Sequence, residues 1–215
     1  GHLKARPGGH KVGFPGSSCP PDPAAMTHRY GQAREAPAYL ANNAQPQATA
    51  DNSGDLPSNI SVGGTEYEII KRLGAGAFGE IFIAHEKASQ KRVAVKVEKL
   101  KSPVPMLPHE HRVYQTLAEK EGFPKILGYE KLERCIVLVM ELLGPSLQDK
   151  LVQAGGRFSL KTTLLLAKHM ITLMQTMHEA RFLHRDVKPA NFVCGTPDSA
   201  TALYCVDMGL VKVIK

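Results

Sequence analysis

The chain has 215 residues, 43% of them hydrophobic, and a formal net charge of +7. That apolar content is enough for one hydrophobic core. The basic excess is spread along the chain without a long basic run, so we interpret it as a solvated surface and expect no nucleic-acid partner. No apolar run approaches the length that spans a membrane, and no secretory signal is evident.

The four cysteines include no C-x-x-C pair. This spacing argues against a structural zinc site. It favours reduced thiols in an intracellular protein, located in the cytoplasm, the nucleus or both. Cys194 and Cys205 fall in segments that we expect to form neighbouring strands.

The first 65 residues differ in composition from the rest. Residues 1–65 are rich in Pro, Gly and Ala, and their few large aliphatic residues show no period. Such a stretch cannot bury enough apolar surface to offset its chain entropy, so we predict a disordered extension that acts as a passive tail rather than a partner-binding segment. Because the chain does not begin with methionine, we expect a fragment or a processed product.

Regular structure is predicted from residue 67 onwards. Strands are expected where β-branched and aromatic residues cluster between turn signals. In the longer of two predicted helices, Leu164, Ala167, Ile171 and Met174 repeat at the spacing of one helical face. The predicted strands are 67–73, 80–85, 92–98, 126–129, 135–140, 192–194 and 202–206, and the predicted helices are 105–118 and 159–180.

A glycine-rich motif follows the first predicted strand. Residues 74–81 read G-A-G-A-F-G-E-I and match G-x-G-x-x-G-x-V with Ile in the last place. Glycine lets the backbone approach phosphate oxygens where a Cβ would obstruct it. Dinucleotide-binding folds use similar glycines but need a helix straight afterwards, whereas 80–85 is strand-like. The loop is therefore predicted to join two strands and cover a nucleotide, with Leu73 and Ile81 against the adenine.

A lysine stands on the third predicted strand. The run V-A-V-K ends at Lys96, within an apolar stretch that favours an inward head group bound to the α- and β-phosphates. Such a lysine needs a carboxylate partner. Glu110 is the best candidate, with Glu119 and Glu121 as later alternatives. Pro108 implies that the helix begins close to it.

Residues 184–191 read H-R-D-V-K-P-A-N and match H-R-D-x-x-x-x-N. A charged surface turn is the plain alternative for H-R-D, but the Asn at the right offset argues against it. In this pattern Asp186 accepts the proton of a substrate hydroxyl, Asn191 reaches a magnesium ion, and Lys188 offers positive charge to the transferred phosphoryl group.

Asp207, Met208 and Gly209 occupy the position of a D-F-G motif. Asp207 is predicted to bind magnesium together with Asn191, because Mg²⁺ prefers oxygen ligands. Met208 replaces the usual Phe. It is expected to fill the same packing site less specifically and to change the balance between active and inactive arrangements.

The run M-E-L-L-G at 140–144 ends the fifth predicted strand and is predicted to form a hinge. Backbone groups of Glu141 and Leu143 are candidates for binding the adenine edge. Met140 is placed at the back of the pocket, a role compatible with a plain core position.

These motifs together resemble the protein kinase superfamily over residues 67–215. Finer features are similar to the casein kinase I group of Ser/Thr kinases: M-E-L-L-G-P-S-L at 140–147, R-F-S-L-K-T at 157–162 and H-R-D-V-K-P at 184–189. Tau-tubulin and vaccinia-related kinases are neighbours in this group, but L-L-G-P-S-L favours casein kinase I itself. The family usually has Asp where this chain has Ala190, a site that carries no transferred proton.

The resemblance implies an α+β, bilobal kinase fold. It has an N-lobe of antiparallel sheet and one helix (66–140), a hinge (141–144) and a helical, truncated C-lobe (145–215). It also implies a monomer that transfers phosphate from ATP, with Mg²⁺, to Ser/Thr hydroxyls of proteins, with the group's preference for acidic or phosphorylated sites. The implied catalytic residues are Asp186, Lys188 and Asn191, the metal ligands are Asn191 and Asp207, and the ATP-binding residues are Leu73, Gly74, Ala75, Gly76, Ala77, Phe78, Gly79, Glu80, Ile81, Ala94, Lys96, Glu110, Met140, Glu141, Leu143 and Asp207.

A pseudokinase-like module, which binds nucleotide or a partner without phosphorylating, is the alternative interpretation. Loss of Lys96, Asp186 or Asp207 would favour it, and all three are present. The kinase pattern continues after Gly209 with an activation segment and further helices, whereas this chain ends shortly after it. We therefore expect a fragment of a longer active enzyme, with an exposed apolar helix face, low stability and little peptide phosphorylation by this chain alone.

Overall fold

The computed structural model describes residues 58–76, 79–100, 104–196 and 202–214. These residues form an antiparallel sheet with a helix against it, followed by a region of helices and short strand pairs. The predicted α+β fold is confirmed. The predicted disorder of residues 1–57 lies outside the described residues and stays a prediction.

A six-stranded antiparallel sheet dominates the first part of the described chain, in the order β1-β2-β3-β4-β6-β5. Five of its strands match predicted ones, and the additional strand is β1. The strands are β1 (Asn59–Val62), β2 (Thr65–Gly76), β3 (Gly79–Glu86), β4 (Arg92–Lys99), β5 (Ile126–Lys131) and β6 (Cys135–Glu141).

Strand β1 lies in the predicted disordered extension, so that prediction is wrong for its last residues. Ile60 and Val62 are buried in an apolar cluster, and β1 pairs with β2. The backbone N–H of Gly63 donates to Glu130 Oε2 of β5 at 2.7 Å, and Gly128 of β5 leaves room for the Val62 side chain. Two alternating apolar residues among polar ones were too short a signal to read from the sequence.

Strand β4 is buried on both faces. Val93, Val95 and Val97 point into the cluster enclosed by the curled sheet, since successive side chains of a strand alternate between faces. Lys96 and Glu98 lie on the opposite face, towards the helix that follows, and both are buried. The sheet therefore carries two charged side chains on the face that it shares with this helix.

Helix α1 (Leu107–Leu117) packs against this charged face of the sheet. It begins one residue before Pro108, close to where the sequence placed its start. The side chains that it buries recur at the spacing of one helical face. They are Leu107, Glu110, Val113, Tyr114 and Leu117.

Helices α2 (Leu147–Gln153) and α3 (Leu160–Glu179) follow the sheet. Helix α2 was not predicted, although Ser146 and Asp149 form a capping box at its start. Helix α3 matches the predicted helix, and the Ser159 side chain caps it by accepting from the Thr162 N–H.

The apolar residues of α3 are only partly packed. Leu173 and Met177 are buried, whereas Leu164 is 61% exposed and Ile171 is 67% exposed. The predicted exposure of an apolar helix face is therefore confirmed. Large exposed apolar surfaces are uncommon on stable monomers.

Two short strand pairs follow α3. Strand β7 (Phe182–Leu183) pairs with β10 (Lys212–Val213), and β8 (Phe192–Cys194) pairs with β9 (Leu203–Cys205). Their antiparallel pairing brings residues 184–191 next to residues 206–211, so two distant motifs meet. The short pair of β7 and β10 was not predicted.

Within the described residues, no helix is long and apolar enough to cross a membrane. The three cysteines there, Cys135, Cys194 and Cys205, are free thiols, and the last two lie on the adjacent strands β8 and β9 as predicted. Burial raises the pKa of the Cys205 thiol to about 12.

Candidate active site

The glycine motif bridges β2 and β3. Gly74, Ala75 and Gly76 end β2, and β3 begins at Gly79, so the motif joins two strands as predicted. Ala77 and Phe78 lie outside the described residues.

Position 79 needs a glycine for two reasons, its backbone conformation and its close contact with β4. Its φ of +135° is in a region that favours glycine, and a Cβ there would run into the carbonyl oxygen of Val97 on β4. Gly74 by contrast has open space around the position of a Cβ. One glycine thus serves sheet packing, whereas the other has free space where a Cβ would lie.

Lys96 stands at the centre of a buried charge cluster. Its Nζ lies 2.7 Å from Glu110 Oε2 on α1 and 3.0 Å from Asp207 Oδ1, which follows β9. Glu110 is 1% exposed. The structure therefore selects Glu110 over Glu119 and Glu121 as the partner of Lys96.

Burial and charge act in opposite directions on this cluster. Burial disfavours the charged form of Lys96, but the negative charges of Glu110 and Asp207 outweigh it and leave the pKa of Lys96 raised. Burial also raises the pKa of Glu110, and the Lys96 charge opposes that rise. Each partner therefore stabilises a charge that the protein interior would otherwise disfavour.

The loop of residues 184–191 is fixed by hydrogen bonds from His184 and Asn191. His184 is buried. Its Nδ1 accepts from the Asp186 N–H at 3.2 Å, so its Nε2 donates to the Val206 carbonyl at 3.1 Å. Asn191 is also buried, and its Nδ2 donates to the backbone and side-chain oxygens of Asp186, both at 2.9 Å. The Asp186 carboxylate is thereby held in one orientation.

Lys188 forms an ion pair with Asp186. Its Nζ lies 2.6 Å from Asp186 Oδ2. The hydrogen bond from Lys188, helped by the one from Asn191, lowers the pKa of Asp186, and the same bond raises the pKa of Lys188. Asp186 is thus an ionised carboxylate, partly open to solvent, beside a cation.

The backbone around Asp207 is strained and held in place. Asp207 has a φ of +64°, and its N–H donates to the buried Tyr114 hydroxyl at 3.1 Å. Met208 is fully buried, and its N–H lies 3.4 Å from Glu110 Oε1. Met208 therefore packs in the core, as expected for the residue that replaces Phe. Tyr114 is a site residue that the sequence did not reveal.

The hinge segment is tied to its neighbours. The Glu141 N–H donates to the Lys125 carbonyl at 3.0 Å, so it is not free to bind a ligand. The prediction for Glu141 is thereby restricted to its carbonyl. A Cβ on Gly144 would lie 2.6 Å from the Gly195 carbonyl oxygen, so glycine is needed where the hinge approaches β8.

A cleft of about 270 Å³ collects the charged groups. A larger groove of about 690 Å³ runs along α3, but it is lined mainly by apolar side chains such as Met170 and Ile171. We place the site in the smaller cleft, because perturbed charged groups meet there. Its lining residues are Gly79, Ile81, Ala94, Lys96, Glu110, Tyr114, Met140, Asp186, Lys188, Ala190, Asn191, Val206 and Asp207.

Comparison with known proteins agrees with this geometry. The protein kinase domain family matches residues 67–215. The chain belongs to the protein kinase family. Casein kinase I homologs 3 and 2 of Schizosaccharomyces pombe are 41% and 40% identical to it over 157 and 161 residues, which are 72% and 73% of this chain but 36% and 37% of those proteins. Casein kinase I homolog 1 of the same yeast is 41% identical over 156 residues, 71% of this chain and 34% of that protein.

These matches confirm the predicted resemblance to casein kinase I. The chain spans about a third of the length of the curated relatives it matches. The kinase region that it shares with them contains all the charged residues of the cleft.

Most of the predicted site residues of this kinase domain meet in the cleft. Ten of its thirteen lining residues were predicted, from Gly79 to Asp207, and the sequence missed Tyr114, Ala190 and Val206 as site residues. The Glu80 side chain turns away and pairs with Arg72 at 3.3 Å. The other predicted ATP-binding residues that are described but are not part of its lining are Leu73, Gly74, Ala75, Glu141 and Leu143.

The donor set at the base of the cleft fits a magnesium ion bound with a nucleotide. Asp207 offers a carboxylate and Asn191 an amide oxygen. The Asn191 side-chain nitrogen already donates a hydrogen bond to Asp186. Among the described residues, no cluster of three or more His, Cys, Asp or Glu could hold a metal alone. This sparse set suits Mg²⁺, which is usually bound by one or two carboxylates, water and substrate phosphates.

Proposed function

We propose that the protein transfers the γ-phosphoryl group of ATP to Ser or Thr hydroxyls of protein substrates. The observation that carries this proposal is the position of Lys96, 2.7 Å from Glu110 and 3.0 Å from Asp207, in the cleft that also contains Asp186. Such a cluster orients a polyphosphate and places a proton acceptor beside it. The cleft is mostly made by β3, β4, α1 and the loop after β7.

In this proposal Lys96 binds the α- and β-phosphates, and Glu110 holds Lys96 in place. Asp207 and Asn191 hold Mg²⁺, which neutralises charge on the phosphates when bound. The substrate hydroxyl oxygen bonds to the γ-phosphorus, the bond to ADP breaks, and the hydroxyl proton passes to Asp186. Lys188 offsets the negative charge of the transferred group.

The lowered pKa of Asp186 is consistent with this role. A weakly basic carboxylate stays ionised and accepts the proton only when the hydroxyl has become acidic by bonding to phosphorus. Its hydrogen bonds to Asn191 and Lys188 orient it for an incoming hydroxyl. Lys188 and the similarity to casein kinase I homologs support Ser/Thr substrates, with acidic or phosphorylated sites as the preferred class.

The second candidate is a nucleotide-binding module without phosphate transfer. The two functions differ in one measurable property, which is transfer that depends on Asp186.

Calorimetric titration of the purified chain with Mg·ATP tests binding, and labelled γ-phosphate tests transfer to acidic Ser peptides and to matched Tyr peptides. Lys96→Met and Asp207→Asn should each weaken Mg·ATP binding. Asp186→Asn should leave binding intact and abolish transfer. Binding of Mg·ATP that is unaffected by Lys96→Met contradicts the proposal. Tight binding without transfer identifies the second candidate.

A further inference from the structure

The carboxylate of Glu98 is buried next to the site but is not part of the cleft. Glu98 is on β4, two residues after Lys96, and only 3% of it is exposed. Both of its oxygens accept from the Met106 N–H at 2.9 Å, and Oε2 also accepts from the Leu107 N–H at 2.8 Å. A carboxylate so deeply buried is stable only with such partners, and all of these come from the start of α1.

Helix α1 has no cap of its own. Its N-cap residue, Met106, makes no side-chain capping bond, and Pro108 has no N–H to donate. The His109 N–H donates back to the Met106 carbonyl at 3.1 Å. The Leu107 N–H is then the remaining donor of the first turn, and Glu98 accepts it at the positive end of the helix dipole.

The other two helices are capped differently. Ser146 caps α2 and Ser159 caps α3, each from its own N-cap position. Among the described helices only α1 is capped from a strand of the sheet, by Glu98 of β4. A cap built this way links the position of the helix to the strand as well as ending the helix.

We propose that Glu98 is a positioning residue that holds α1 where Glu110 meets Lys96. Lys96 and Glu98 share one face of β4, and their partners on α1, Glu110 and Leu107, lie within one helical turn. Two attachments this close oppose both sliding and rotation of the helix. The inference rests on the proposed function only where ATP binding is concerned, since the Lys96–Glu110 pair itself needs no nucleotide.

The test measures the reactivity of Lys96 in the nucleotide-free chain. An amine-acylating reagent is applied, and modified peptides are quantified by mass spectrometry. A shift of α1 takes the Glu110 carboxylate away from the buried Lys96 amine and opens that amine to the reagent. We expect acylation of Lys96 to rise at least about threefold in Glu98→Gln, because local opening of a buried group needs less free energy than global unfolding. Glu130→Gln, which removes the carboxylate bound to Gly63, is the matched control and should leave Lys96 unchanged.

Hydrogen exchange of α1 amides separates positioning from plain capping. Faster exchange at Leu107 together with faster acylation of Lys96 supports the proposal. Faster exchange with unchanged Lys96 reactivity overturns it, because Glu98 then only caps the helix. Faster exchange at the amides of every strand and helix also overturns it, because that result reports general unfolding. If Glu98→Gln does not fold, Glu98→Asp takes its place with the same criteria.

Mg·ATP titration links the inference to the proposed function. Glu98→Gln should weaken binding about threefold, and this loss should disappear in a Lys96→Met background, because coupled residues are not additive. An undiminished loss in that background overturns the positioning role. A wild-type chain that binds no Mg·ATP contradicts the proposed function alone, and Lys96 acylation then decides the inference.

Discussion

The Tyr114 hydroxyl accepts the backbone N–H of Asp207 at 3.1 Å and thereby ties α1 to the strained residue at the base of the cleft. Burial, reinforced by the nearby Glu110, holds the pKa of Tyr114 well above its usual value, so the hydroxyl stays protonated. This bond steadies a left-handed conformation that a non-glycine residue rarely adopts.

Tyr114→Phe removes that acceptor and leaves the partly buried Asp207 N–H without it. We expect the free energy of unfolding to fall by about 1–3 kcal/mol, measured by urea unfolding. Mg²⁺-dependent ATP binding should weaken as well, because Asp207 loses its orientation. Tyr129→Phe is the control, since the Tyr129 ring stacks on His111 away from the cleft. Equal effects of the two substitutions would contradict this role of Tyr114.

Lys96→Met should destabilise the fold by about 3–5 kcal/mol at neutral pH, because Glu110 is left as a buried charge without its partner. A second substitution, Glu110→Gln, should recover part of that loss. The exposed Lys91→Met serves as control and should change stability little. Urea unfolding of the four proteins measures these effects.

The same variant has a predictable pH dependence. Burial raises the pKa of Glu110, and removal of Lys96 removes the charge that opposes this rise. A carboxyl group whose pKa is raised in the folded state stabilises that state below the unfolded pKa and loses this contribution as pH rises through the folded pKa. The deficit of Lys96→Met should therefore shrink as the pH falls below neutral. A deficit that grows on acidification would contradict the assignment.

Two glycines of one motif should respond differently to alanine. Gly79→Ala places a Cβ against the Val97 carbonyl at a positive φ, so we expect a loss of about 1–3 kcal/mol in stability. Gly74→Ala meets nothing within 4 Å and should unfold like the wild type. If its backbone approaches phosphate oxygens, Gly74→Ala should still weaken Mg·ATP binding. Thermal unfolding and ATP titration of both variants separate the two roles.

Lys188→Met should raise the pKa of Asp186, because its hydrogen bond is the largest cause of the lowered value. Carbon NMR of the Asp186 carboxyl group, followed through an acid titration, measures this shift. Any phosphate transfer that depends on ionised Asp186 should then be lost at a higher pH than in the wild type. Lys91→Met is the control, and an unchanged Asp186 titration in Lys188→Met would refute the proposed contact.

The catalytic residues could be predicted from the sequence because their types recur at short, fixed spacings. Asp186, Lys188 and Asn191 lie in one loop, and the spacing of that loop is itself the signal. The apolar runs of the strands likewise predicted five of the six sheet strands that the structure describes. Local patterns were sufficient wherever the partners are close along the chain.

Contacts between distant segments needed the tertiary structure. The sequence left three candidates for the carboxylate partner of Lys96, which are Glu110, Glu119 and Glu121. The folded position of α1 places Glu110 within hydrogen-bonding distance of the Lys96 amine. Nothing along the chain indicates that the Tyr114 hydroxyl meets the Asp207 backbone.

By itself, then, the sequence determined the kinase family, the kinds of group in the cleft and the order of most elements, because repeated residue types at set intervals encode strands, helices and motif loops. Only the tertiary structure decided which carboxylate neutralises Lys96, that Glu98 caps α1, and that the Tyr114 hydroxyl meets Asp207. These outcomes depend on burial and on distances across the sheet and helices, because a buried charge needs a partner and the fold decides which groups can reach it.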